Sequence, residues 1–142
     1  MISPLKVGLF GIALDACWPQ FAGLKARLEG YVARAAAKLA RPGIEVVNRG
    51  LVDNPDRAYA AGREFRRAEV DLIFLHVSTY ALSSTVVPVV LRVEVPVIVF
   101  NLAPEPAIDY ASFNTLGDRI RMTGEWLGRR MVPAFAPSLC SI

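Results

Sequence analysis

At 142 residues the chain has the length of one domain, and its 54% hydrophobic residues are enough material for a self-sufficient core. Its 16 basic and 13 acidic side chains are interleaved along the chain, which argues against a nucleic-acid-binding protein. No stretch approaches the roughly 20 uninterrupted apolar residues of a membrane span.

The first apolar run, residues 7–13, is rich in Val, Leu, Ile and Phe, as suits a strand buried on both faces of a parallel sheet. The residues ahead of it lack a charged segment followed by an apolar core and a small-residue cleavage site, so a cytoplasmic protein is expected. Behind the run, Phe21, Leu24, Leu28, Val32, Ala35 and Leu39 recur at three- and four-residue steps. This spacing predicts one amphipathic helix that starts near Pro19 and stops at Pro42-Gly43. Residues 44–47 read as a short second strand, and Asn54-Pro55 as the N-cap and first residue of a polar, peripheral helix reaching about Ala68.

A third strand is predicted over 71–76, then a helix capped by Ser83 or Ser84 and carrying Val86, Val87, Val90 and Leu91. Val95-Pro96 leads into a fourth apolar run, 97–101. Beyond Glu105 the pattern loosens into a loop up to Gly117, followed by a short helix from about Thr123 to Arg130. The last dozen residues hold two prolines in five positions and are expected to be extended or disordered. Arg119, Arg121, Arg129 and Arg130 surround that short helix and read as a solvated face or subunit contact.

The order β-α-β-α-β-α-β with right-handed crossovers gives an α/β fold: a flavodoxin-like, doubly wound parallel sheet in three αβα layers. The expected strand order is 2-1-3-4, with the switch point between strands one and three. Ligands of such sheets bind outside the carboxyl ends of the strands. That rule selects three clusters: Asp15, Cys17, Trp18 and Gln20; then Ser78, Thr79 and Tyr80; then Asn101 and Glu105.

The clusters exclude several chemistries. A phosphate or flavin cradle after the first strand needs glycines or hydroxyl side chains at a helix N-terminus, and Asp15-Ala16-Cys17-Trp18-Pro19 is bulky instead. Gly8 and Gly11 are not followed by the third glycine of a dinucleotide fingerprint. A receiver-type phosphorylation site needs an aspartate where His76 stands. Cys17 and Cys140 have no metal-knuckle or disulfide spacing, and a buried or half-buried thiol is the plain reading of Cys17.

What remains suits a neutral, hydroxyl-rich ligand. Trp18 and Tyr80 offer flat apolar faces, while Asp15, Gln20, Thr79, Asn101 and Glu105 offer groups that orient hydroxyls. Packing is the competing role for Trp18 and Tyr80, turn capping for Asn101, and a structural place for His76. Acid-base catalysis by a carboxylate pair requires Asp15 and Glu105 to converge.

Together, GLFGIALDACWPQF, DLIFLHVSTYALSSTVVPVV, VPVIVFNLAPEPAIDY and MTGEWL resemble the N-terminal domain of the L-fucose/L-arabinose isomerase family, over roughly residues 5–127. The resemblance implies a metal-dependent aldose–ketose isomerase, typically using manganese and assembling as a homo-oligomer. It puts Asp15, Trp18, Gln20 and the 78–80 segment at the mouth of a monosaccharide site that faces a neighbouring subunit. Asn101, Glu105 and the Gly124-Glu125-Trp126 stretch follow as sheet-end and inter-domain elements.

In the family, the metal ligands and the catalytic groups come from later domains. The expectation is therefore a domain spanning 1–127 with a divergent tail, 128–142. It has no catalytic or metal-binding residue of its own, is inactive alone, and is truncated or completed by a separate catalytic-domain polypeptide. Surfaces left uncovered by missing domains should promote self-association. The alternatives are a stand-alone flavodoxin-like small-molecule-binding or regulatory domain, and a small enzyme such as a dehydroquinase or phosphosugar isomerase. The last needs convergent Tyr, Arg and His, or a Cys beside a glycine-rich phosphate loop.

Overall fold

The computed structural model describes residues 3–102. The short helix expected at 123–130, the 128–142 tail, the domain boundary at 127, Cys140 and Glu105 all lie outside the described residues.

Strand β1 (Leu5–Ile12) leads through a single 3-10 turn, Asp15–Cys17, to helix α1 (Leu24–Leu39). Strand β2 (Ile44–Val52), helix α2 (Pro55–Ala68), strand β3 (Leu72–Val77), helix α3 (Ser83–Val93) and strand β4 (Val97–Phe100) follow. All pairings are parallel and the order is β2-β1-β3-β4, as the βαβ pattern predicts. The chain moves from β1 to one side and then returns across β1 to β3, so the switch point lies between these two strands. No helix among the described residues is long and apolar enough to cross a membrane.

Side chains alternate across the strands, and the two faces build two cores. On one face Leu9, Ala13 and Leu51 meet Leu24, Leu28, Val32 and Ala35 of α1. On the other, Phe10, Val52, Ile73, Leu75 and Val77 meet Ala58, Ala61 and Phe65 of α2 and Val89 of α3.

The structure corrects four local expectations. Helix α2 is not peripheral: Ala58, Ala61, Gly62 and Phe65 form a buried stripe at helical spacing. Small residues gave this face a polar look, yet smallness is what lets it approach α3. A Cβ on Gly62 would stand 3.1 Å from the Pro88 carbonyl oxygen. Phe65 drives into the sheet beside Phe10, ring centroids 6.1 Å apart, in space that Gly8 leaves open.

Helix α1 begins at Leu24, later than Pro19, because Gly23 adopts a left-handed conformation at its N-cap (φ 77°). Helix α3 is capped at Leu82, where neither Ser83 nor Ser84 acts. Instead, the Thr85 hydroxyl turns back and donates to the Leu82 carbonyl at 2.7 Å.

Strand β2 runs to Val52, five residues past its expected end, because it contains a bulge. Asn48 pairs with Leu9 and Leu51 with Gly11, so Arg49 and Gly50 together oppose Phe10. Gly50 supplies the positive φ of 64°, and its N–H donates to Asn48 Oδ1 at 2.9 Å. The extra residue inverts the alternation. Val46 faces α1 before the bulge, and Leu51 faces it afterwards.

Candidate functional site at the carboxyl edge of the sheet

Register brings the strand ends together. Ile12 lies opposite both Val52 and Val77, and His76 lies opposite Phe100. The segments that begin at Ala13, Asp53, Ser78 and Asn101 therefore leave one edge of the sheet side by side. Of the residues expected at a ligand, Asp15, Trp18, Gln20, Thr79, Tyr80 and Asn101 follow strands that end on this edge.

Over β1 and β2 the chain is wired by polar contacts. The backbone N–H of Ala13 donates to Val52 O at 3.0 Å and that of Asp15 to Asp53 O at 3.1 Å. The indole Nε1–H of Trp18 donates to Asp53 Oδ2 at 2.7 Å, and Asp53 is only 2% exposed. Asn54 Nδ2 and the Arg57 guanidinium reach the same carboxylate, at 3.3 and 3.4 Å. The Lys25 ammonium stands 5.8 Å from the Trp18 ring centroid.

Asp15 is exposed in the 3-10 turn. Gln20 is exposed as well, and its Nε2 donates locally to the Ala16 carbonyl at 2.6 Å. Cys17 is half-buried, and burial, with the Asp15 carboxylate second, pushes its thiol pKa up and keeps it protonated.

Over β3 and β4 the edge holds buried polar side chains beside a more exposed tyrosine. Ser78 and Thr79 are buried, Tyr80 is 41% exposed and Asn101 half-buried. His76 is buried against the Phe100 ring, centroids 5.1 Å apart, and its Nδ1 lies 2.9 Å from Ser78 Oγ. Its Nε2 has no hydrogen-bond partner among the described residues. Burial lowers its pKa to about 4, so the ring is neutral at neutral pH. Gly11 makes this packing possible: a Cβ there would come within 2.7 Å of Ser78 Oγ and 2.8 Å of Val32.

Sequence reasoning passed over Asp53, the buried carboxylate that ends β2 and holds Trp18. The available signal was an acidic residue set between an apolar Leu51-Val52 pair and the Asn54-Pro55 helix start. The 44–47 estimate for β2 placed that residue in a loop and concealed it.

No group of three His, Cys, Asp or Glu side chains among the described residues is placed to hold a metal ion. The Asp53 oxygens meet hydrogen-bond donors and a guanidinium, which take the positions a cation would need. Among the described residues, the donor set of this edge therefore does not fit a manganese site. A cleft of about 190 Å³ opens between β2 and α2, lined by Arg49, Leu51, Val52, Arg57, Ala60 and Ala61. It touches the edge cluster through Arg57 and contains none of the expected ligand residues.

Chemically, the edge presents an indole fixed at its N–H, a half-exposed phenol, an exposed carboxylate and an amide. Groups of these types are suited to orienting hydroxyls and to packing against apolar ring faces. Scanned against protein-family models the chain matches none, and a search of curated proteins returns no match.

Proposed function

We propose that this chain supplies the sugar-facing, oligomer-forming wall of a cytoplasmic, divalent-metal-dependent aldose–ketose isomerase of the L-fucose/L-arabinose type. The metal and the turnover belong to other domains or to a partner polypeptide. On this reading Asp15, Trp18, Gln20, Thr79, Tyr80, Asn101 and Glu105 face the monosaccharide.

One observation carries the reading. Two motifs of the resemblance, GLFGIALDACWPQF and DLIFLHVSTYALSSTVVPVV, include β1 and β3, the neighbouring strands that flank the switch point. Their polar residues emerge on the same edge, without the glycine-rich loop that a nucleotide or flavin phosphate requires. Exposed apolar side chains among the described residues support association: Leu82, Leu91 and Ile98 are exposed at 45%, 65% and 45%.

Titration of the purified chain with L-arabitol and L-fucitol, followed by tryptophan fluorescence, tests the reading. Weak saturable binding is expected, with no response to flavin mononucleotide or ATP, and sedimentation is expected to show self-association. Tight binding of either nucleotide would favour the stand-alone ligand-binding domain. Manganese-dependent turnover of L-arabinose or L-fucose by this chain alone would refute the division of labour.

A further inference from the structure

We infer that Asp53 is a positioning residue, which fixes the indole of Trp18 at the carboxyl edge of the sheet so that its ring forms a rigid wall for the ligand. The choice of a sugar as that ligand rests on the function proposed above; the fixing of Trp18 does not.

The argument starts in β2. With regular alternation, the even-numbered residues that share the face of Val46 would continue toward α1, and Asp53 would point to the α2 side with Val47. The Arg49-Gly50 bulge inverts that order, putting Leu51 against α1 and Val52 against the opposite core. Asp53 therefore emerges on the α1 side, where the turn after β1 passes. The bulge thus re-aims one carboxylate, and the Trp18 N–H meets it at 2.7 Å.

The contact has the properties of a fixed support. Asp53 is 2% exposed, and a buried polar group is tolerated only when its hydrogen-bonding atoms are engaged. Here the indole, the Asn54 amide and the Arg57 guanidinium engage them, and Asn54 and Arg57 belong to the N-terminal turn of α2. Helix α2 is in turn locked into the core by Phe65 and Gly62. The Asp53 backbone carbonyl also accepts from Asp15 N–H, so the same residue ties down both ends of the 3-10 turn. Trp18 is linked through one residue to rigid structure, while its own segment, between Ala13 and Gly23, is a loop.

The experiment uses the full chain carrying Trp126→Phe, which leaves Trp18 as the sole indole of the two in the sequence. Asp53→Leu removes the acceptor, Asp53→Asn keeps an oxygen that accepts the N–H, and Val89→Ala weakens the distant α3 core as a control for general destabilisation. Trp18 emission, acrylamide quenching and the L-arabitol response are recorded together with thermal unfolding.

Asp53→Leu is expected to red-shift the emission, raise the quenching and weaken the L-arabitol response about tenfold, the worth of one buried charged hydrogen bond. Asp53→Asn should restore most of all three, and Val89→Ala should lower the unfolding midpoint and leave Trp18 unmoved. An unchanged Trp18 in Asp53→Leu, or an equal change in Val89→Ala, overturns the inference. If Trp18 responds to Asp53→Leu but L-arabitol affects neither the parent nor any variant, the support stands and the sugar reading falls.

Discussion

The two halves of the sheet edge are held by opposite physics. Over β1 and β2 a buried carboxylate is surrounded by donors, and the tryptophan it holds is half-exposed. Over β3 and β4 a histidine is kept neutral by desolvation, against Phe100 and Ser78, with one ring nitrogen lacking a hydrogen-bond partner among the described residues. The first half is a saturated polar network that presents a surface. The second is a packing unit in which His76, Ser78 and Thr79 are buried and constrained by how little space surrounds them. A fold can therefore stiffen adjacent strand ends in two ways, and the two respond to different perturbations.

Acid should break the β3 side first. His76 is neutral when folded and its pKa is lowered to about 4, whereas in the unfolded chain it titrates near 6.5. Above that value both states are neutral and pH has no effect through this group. Between the two values the unfolded state takes the proton first, so stability falls with pH and levels off below about pH 4. The loss is on the order of 3 kcal/mol. Subtracting the denaturant-unfolding stability profile of His76→Phe from that of the parent isolates this contribution, and a flat difference from pH 7 to 4 would deny it.

Steric crowding gives the next largest effect. Gly11→Ala forces a methyl toward Ser78 Oγ and Val32 and should cost about 2 kcal/mol, read as a lowered urea midpoint. The single histidine makes the local origin visible, because the imidazole nitrogen resonances should shift as the Ser78 contact is displaced.

On the β2 side, Asn54→Ala removes the side-chain cap that accepts from Arg57 N–H at 3.0 Å, and about 1 kcal/mol should be lost. The same midpoint measurement serves, and the imidazole resonances should stay in place. Smallest of all, Arg49→Ala breaks the exposed pair with Glu64 at 3.0 Å and should change stability by about 0.5 kcal/mol or less, diminishing with added salt.

The order of elements and the strand topology were legible because they depend on local signals. Helical spacing in residues 21–39, the Asn54-Pro55 start and the apolar runs at 7–13 and 97–101 each read from neighbouring residues, and right-handed crossovers leave few topologies. Placement of Asp15, Trp18, Thr79 and Tyr80 after strands that end on one edge followed from the same rule.

What escaped the sequence depends on residues far apart in the chain. The buried stripe of α2 has the low hydropathy of Ala and Gly, and only the nearness of α3 reveals why small side chains stand there. The bulge at Arg49-Gly50 has little sequence signal beyond one glycine, yet it decides which face Asp53 joins. Asp53 and Trp18 are 35 positions apart, so neither predicts the other without the register of β1 against β2.

The claim that this edge faces a sugar is tested most directly by mapping amide and indole resonances of the isotope-labelled chain during an L-arabitol titration, with flavin mononucleotide as the counter-probe. The account predicts saturable shifts centred on the Trp18 indole N–H and the backbone of Asp15, Thr79, Tyr80 and Asn101, and none with the flavin. Shifts confined to the Arg49–Arg57 cleft, or a flavin response at the strand ends without one to the polyol, would contradict it.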